Sequence, residues 1–136
     1  MLILVRLLLA WVFLRAGFDV LQKPHPRAET AGWLLDTIRS IVPVMPADNV
    51  QVVRANALVQ LGAAMLLALN IRPRLAALLL ASSIVPTTIG GHAFWRHDDP
   101  ARRAQQQVHF DKNLAILGGL LLVAAGPQQH RRAVWR

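Results

Sequence analysis

Cysteine is absent from the 136 residues. That excludes disulfides, CxxC redox chemistry, cysteine-ligated zinc or iron–sulfur centres and a thiol nucleophile. Charge is scarce too, at 16% of residues against 54% hydrophobic. A soluble chain this short would have to bury most of that apolar surface beneath a thin charged shell, a requirement that a bilayer removes. An integral membrane protein is therefore the first reading. The seven acids are too few for a two-metal site, and no G-x4-GK[ST] phosphate loop occurs. Ser40, Ser82 and Ser83 have no base and orienting acid in a recognisable pattern. An independent hydrolase or transferase is disfavoured. The net charge of +8 comes mostly from 13 arginines among the 15 basic residues. They are scattered rather than gathered in an aromatic-interleaved stripe, which argues against nucleic acid as a partner.

What is present is long apolar runs. Residues 2–21 are nearly continuous in Leu, Val, Ile, Ala, Trp and Phe, broken by Arg6, Arg15 and Asp19, with no signal-peptide cleavage pattern. Residues 52–71 form a second span and 74–95 a third, with Pro73 at the tolerated N-terminal position and Pro86 as a kink whose freed backbone groups Ser83, Thr87 and Thr88 can serve. A fourth runs over 108–125 and is stopped by Gly126-Pro127. Between the first two, KPHPRAETAG reads as a break, and Leu34, Leu35, Ile38, Ile41 and Val42 as one face of a short helix on the membrane surface. RHDDPARRAQQQ, residues 96–107, reads as a solvated loop. The expected fold is all-α: one domain over 1–136, an antiparallel four-transmembrane-helix bundle with a short interfacial helix between helices one and two.

In that topology the polar residues collect at one membrane face: Arg15, Asp19, Arg54, Asn56, Thr88, His92, Trp95, His109, Asp111, Lys112 and Asn113. Arg15 and Asp19 at i, i+4, and His109, Lys112 and Asn113 at i, i+3, i+4, share helix faces. Charges within spans usually pair in the bundle interior, so Arg15, Asp19, Arg54, His109 and Lys112 are expected to form one mutually dependent network. The other half offers Arg6, Gln60 and Asn70, read as isolated groups that snorkel or bond locally. Small residues at Gly62-Ala63-Ala64, Ala77/Ala81, Gly90-Gly91 and Ala115/Gly119 let backbones approach. Trp11, Trp33, Trp95 and Trp135 read as interfacial anchors, and the Arg102-Arg103 and Arg131-Arg132 pairs as headgroup contacts.

Three segments carry a family resemblance: VRLLLAWVFLRAGFDVLQKP, VVRANALVQLGAAMLLALNIRPRLAALLLASSIVPTTIGGHAFW and HDDPARRAQQQVHFDKNLAILGGLLL. Together they cover nearly the whole chain. The most specific part is PTT-x2-GH-x-FW, followed by DP-x2-R-x2-Q-x2-HF-x-KN and LGGLL. The chain resembles the DoxX family of small four-helix membrane proteins, most closely its actinobacterial-type members. Gln60 stands where many members carry Glu, and Asp111 where the pattern is apolar. The resemblance implies a bacterial membrane protein similar to a membrane subunit of a thiosulfate:quinone oxidoreductase, and relatives linked to redox assemblies with soluble oxidative-stress enzymes.

The expected role is a non-catalytic membrane subunit that docks a redox partner, not an enzyme by itself. The alternative is a quinone- or lipid-binding protein passing electrons through the bound molecule, with His92, Trp95, His109 and Lys112 as candidate donors to the headgroup. His92 and His109 also suggest a bis-imidazole site, but no further ligand shell is evident, so neither haem nor metal is expected. For the polar cluster itself, the first reading is a structural polar knot closing one end of the bundle, ahead of the headgroup pocket. The expected location is the plasma membrane, with both termini cytoplasmic because Arg72, Arg74 and the basic tail crowd the helix ends on that side.

Overall fold

The computed structural model describes residues 2–126; the basic tail with Arg131, Arg132, Trp135 and Arg136 lies outside them. The described chain is all-α: α1 (Leu2–Gln22), α2 (His25–Ile41), α3 (Asn49–Ala68), α4 (Pro73–Gly91), a 3-10 turn (Phe94–Arg96) and α5 (Pro100–Ala125). Three segments are long and apolar enough to cross a membrane, Asn49–Ala68, Pro73–Arg96 and Pro100–Ala125. α1 differs in charge: every 18-residue window within it contains Arg6, Arg15 and Asp19.

Two helix starts differ from the sequence reading, for the same reason. Pro24 and Pro26 open α2 at His25, so most of KPHPRAETAG is helix rather than a break. Likewise residues 100–107 are the first turns of α5 and not a loop: Asp99 caps them by accepting from Arg102 N at 2.8 Å, with Pro100 in the first turn. Proline lacks only an N–H that a first turn leaves unbonded, so in these positions it starts a helix. α3 also begins early, at Asn49, capped by Asp48. It ends at Ala68, and Asn70 (φ 57°) and Arg72 (φ 44°) take left-handed conformations that reverse the chain into α4.

α1 packs on α3, α3 on α4 and α4 on α5, while α1 meets α5 only narrowly. α2 lies across α3 and α4. On α1 the buried positions are Arg6, Ala10, Phe13, Gly17 and Val20, spaced 4, 3, 4 and 3, as one helix face requires; Ile3, Leu4, Leu7, Leu8, Trp11 and Phe18 point outward. The apolar core lies in one half of the fold, called here the lower half. Ala10 and Phe13 pack there against Ala63, Ala64, Leu67, Ala76, Ala77, Leu80, Ala81, Ile84, Leu120 and Val123. Alanine dominates because lipid supplies little drive to bury bulk between helices, so close van der Waals contact holds them. Close approach extends to Gly17, where an added Cβ would stand 2.8 Å from Leu61 Cγ and 3.2 Å from the Ala57 carbonyl oxygen. Gly62 and Gly91, expected as approach points, have no such neighbours within 4 Å.

Candidate functional site

Above the core the helices part around a cavity of about 370 Å³. Its walls are mostly aliphatic: Val12, Phe13, Ala16 and Val20 of α1, Val52, Val53 and Ala57 of α3, Ile84 of α4, Ile116 of α5, and Ala31, Leu34, Leu35 and Ile38 of α2, which roofs it. α2 seats on the end of α4 at Gly90, where an added Cβ would lie 3.2 Å from Ala31 Cβ and Leu34 Cδ2. Arg39 ties its far end down, bonding the Pro46 carbonyl at 3.0 Å, Asn49 Oδ1 at 2.7 Å and Asp36 at 2.6 Å. Trp33 receives Arg96 over its ring at 4.5 Å.

The polar groups on the wall are Arg27, Asn56, Gln60, Thr87, His92 and Asn113. They are ordered by a ladder between α3 and α4. Gln60 Nε2 donates to Ser83 Oγ (2.9 Å), Ser83 Oγ to Asn56 Oδ1 (2.7 Å) and Asn56 Nδ2 to Thr87 Oγ1 (3.2 Å). Thr87 and Thr88 donate to the carbonyls of Ser83 and Ile84 at 2.8 and 2.7 Å. The carbonyl that Pro86 deprives of its partner is that of Ser82, so these hydroxyls bond its neighbours, and Ser83 turns to α3 instead. From α5, Asn113 Nδ2 donates to Thr88 Oγ1 at 3.0 Å, and Gln106 Oε1 accepts from His92 Nδ1 at 2.8 Å. That bond leaves His92 Nε2 as an acceptor. The second amide hydrogens of Gln60, Asn56 and Asn113 remain as donors. Among the described residues no carboxylate lines the wall, and Arg27 is the one Lys or Arg on it.

The residues expected at this face divide into two groups. Asn56, His92 and Asn113 line the cavity, and Thr88 holds Asn113. His109 stacks on His92, with ring centroids 5.1 Å apart and planes at 21°, so the ring faces meet rather than the nitrogens. Trp95 is 48% exposed and forms an edge-to-face trio with Phe94 and Phe110, away from the cavity wall. Arg15, Arg54, Asp111 and Lys112 are exposed. Among the described residues no hydrogen bond or ion pair joins Arg15, Asp19, Arg54, His109 and Lys112 into the expected network. Asp19 instead faces Arg27 of α2 at 3.9 Å. The i, i+4 spacing of Arg15 and Asp19 sets them on the outward side of α1, where a new helix brings a nearer cation.

Three residues read as isolated are not. Gln60 is buried within the ladder, and Arg6, only 7% exposed, donates through Nη1 to Asn70 Oδ1. Arg6 Nε has no partner among the described residues. Arg27, Ser83, Thr87 and Gln106 were not among the expected site residues. A signal for two of them existed: Asn56/Gln60 and Ser83/Thr87 are both i, i+4 polar pairs within apolar helices, and paired stripes of that kind face one another.

The DoxX family model matches residues 1–93, more than half of the sequence and all of α1 to α4. The chain belongs to the DoxX family. Within this DoxX chain the match takes in Arg27, Asn56, Gln60, Ser83, Thr87 and His92, and leaves Gln106, His109 and Asn113 of α5 beyond it. The KN and LGGLL signature of α5 thus lies outside the matched stretch. No curated protein and no solved structure compared with the chain matches it.

Proposed function

We propose that this DoxX protein is a membrane-embedded binding protein for a small amphiphile of the quinone or lipid class, whose polar head is held in the cavity. One observation carries the reading: an apolar space of about 370 Å³ whose hydrogen-bonding wall, built from three helices, is uncharged apart from Arg27 of α2. Ligand pockets run from roughly 300 to 1,000 Å³ and combine apolar walls with a few convergent polar groups. The free amide hydrogens suit carbonyl or ether oxygens, and His92 suits a hydroxyl. The headgroup donors are then Gln60, Asn56, Asn113 and His92, replacing Trp95, His109 and Lys112. The protein binds without a reaction of its own. Any electron transfer runs through the bound molecule to a redox partner, for which family membership is the support. Service as a docking platform alone ranks second, since no surface feature speaks for it separately.

The same reading makes α1 a fourth span. Its outward face is wholly apolar through Trp11, Arg6 near its start turns inward to Asn70, and Arg15 and Asp19 lie in its second half. α2, with Leu35 inward and Glu29, Asp36 and Ser40 exposed, then lies at the membrane surface over the cavity. We read the α3–α4 turn as cytoplasmic, with Arg72 and Arg74 as the support, and the membrane as the plasma membrane of a bacterial cell. Cys introduced at Ser40 or Ala101 should label from outside intact cells, and at Ile71 only after permeabilisation. Equal labelling of all three would defeat this topology.

Binding is tested with purified protein in nanodiscs and decylubiquinone as probe. Saturable binding near one per chain is expected, weakened about tenfold by Gln60→Leu, the cost of one buried polar partner. Absence of saturable binding, or indifference to Gln60→Leu, would remove the proposal.

A further inference from the structure

We infer that the cavity opens sideways into the bilayer between α1 and α5, so that its ligand is a molecule with a polar head inside and an apolar tail left in the lipid. This rests on the binding function proposed above and adds the class of ligand and its path. The inference comes from comparing the seams around the cavity. Along α1–α3, Gly17 presses on Leu61 and the Ala57 backbone. The α3–α4 seam is laced by the Gln60–Ser83–Asn56–Thr87 bonds, and α4–α5 by Asn113–Thr88 and His92–Gln106. The roof is α2, and the floor is the alanine core. Of the seams between α1, α3, α4 and α5, the α1–α5 seam alone has neither close packing nor a hydrogen bond at cavity level among the described residues. Leu9 against Gly119, where an added Cβ would stand 3.4 Å from Leu9 Cδ2, is the contact at its lower edge.

Above that contact, Val12 and Ala16 on one helix and Asn113 and Ile116 on the other all line the space, and Val12 is 41% exposed. Val12 is near the middle of α1, and Ile116 lies in the apolar part of α5. An opening at that depth meets acyl chains rather than water. A tail lying there crosses aliphatic side chains only, while the head reaches Asn113 at the threshold and Gln60 within. From the water side the space is roofed by α2, which packs on α3 and α4 and meets α1 at the Asp19–Arg27 pair.

The test compares decylubiquinone with its tail-less headgroup, 2,3-dimethoxy-5-methylbenzoquinone, in nanodiscs holding wild type or Val12→Trp. Partition into lipid is the same for both proteins and cancels. Val12→Trp, filling the seam where the tail must lie, should weaken the tailed probe about tenfold more than the head-only probe, a steric cost at the low end of that for overpacking. Leu8→Trp, on the outward face of α1 at 60% exposure, should change neither. A second arm avoids reliance on one bulky residue. Because the protein has no cysteine, Val12→Cys with Ile116→Cys can be bridged by a short bis-maleimide, which should slow entry and exit of decylubiquinone about tenfold or more. If both probes bind and neither change discriminates between them, the side opening is wrong while the binding function stands. If neither probe binds wild type, the binding function fails first.

Discussion

The lower and upper halves of this protein use the same helices in opposite ways. Below, alanines at 63, 64, 76, 77 and 81 bring α3 and α4 into contact around Leu67, Leu80 and Leu120, each fully enclosed. Above, the same helices are joined by side-chain amides and hydroxyls that span a gap instead of closing it. Small apolar residues pull helices together, whereas a Gln–Ser–Asn–Thr ladder sets a fixed distance between them, since its bonds are satisfied only at that spacing. The difference teaches that the polar residues of a membrane protein can be the frame of a cavity as well as its contents.

The contrast is sharpest for truncations. Leu80→Ala removes a fully enclosed side chain and should cost on the order of 2 kcal/mol, the low end of the range for soluble cores because lipid weakens the transfer part. Ile38→Ala, on the cavity roof, deletes atoms that already face space and should cost well under about 1 kcal/mol. Thermal unfolding in mild detergent reads both, and equal losses would erase the distinction between the halves. Adding a methyl should reverse the ranking. Gly17→Ala should destabilise by about 1 to 2 kcal/mol, as overpacking against the Ala57 backbone outweighs the helix preference for alanine. Gly91→Ala, pointing at open cavity, should be neutral or stabilising by a few tenths, at roughly the scale of helix propensity.

The ladder predicts coupling. Gln60→Leu and Ser83→Ala should each destabilise, and the double change should cost about 0.5 to 1 kcal/mol less than their sum, because either one strands the other. Strict additivity in a double-mutant cycle would mean that the two do not share a bond. The smallest effect belongs to Asp19→Asn. Its partner Arg27 is 3.9 Å away and both are substantially exposed, so the change should move stability by no more than about 0.5 kcal/mol. This is far below what the sequence reading expected of a buried network around Asp19.

That reversal shows how legibility was distributed. Apolar runs marked α1, α3, α4 and the end of α5 directly, because hydropathy is a sum over many residues and tolerates local error. The starts of α2 and α5 were hidden by prolines, which signal a break or a first turn; Asp99 caps α5, whereas α2 starts after Pro24 with no side-chain cap. Asn56, His92 and Asn113, expected at one face from their depth along the helices, line the same cavity. Gln60 was assigned to the wrong half by that same measure, and Arg27 fell in a segment read as broken. The cavity was not legible at all. It is defined by which side chains fail to meet, and α1's distance from α5 depends on packing at Gly17 and Gly119 that no single segment encodes.

The Arg6–Asn70 bond has a consequence for the order of events at the ribosome. α1 is synthesised first, and its partner Asn70 follows 64 residues later. Until then Arg6 lacks the acceptor it has in the finished fold, and a charge at the centre of a span costs about 2.5 to 3.5 kcal/mol on insertion scales, less toward the ends. α3 and α4, joined by a four-residue turn at 69–72, enter as a hairpin and bring Asn70 to the level of Arg6. With α1 as the proposed fourth span, its membrane integration is completed from downstream. A nascent chain ending at residue 48 should leave α1 more extractable by alkali than one extended through residue 91, and an Asn70→Leu chain of the longer length should resemble the shorter one.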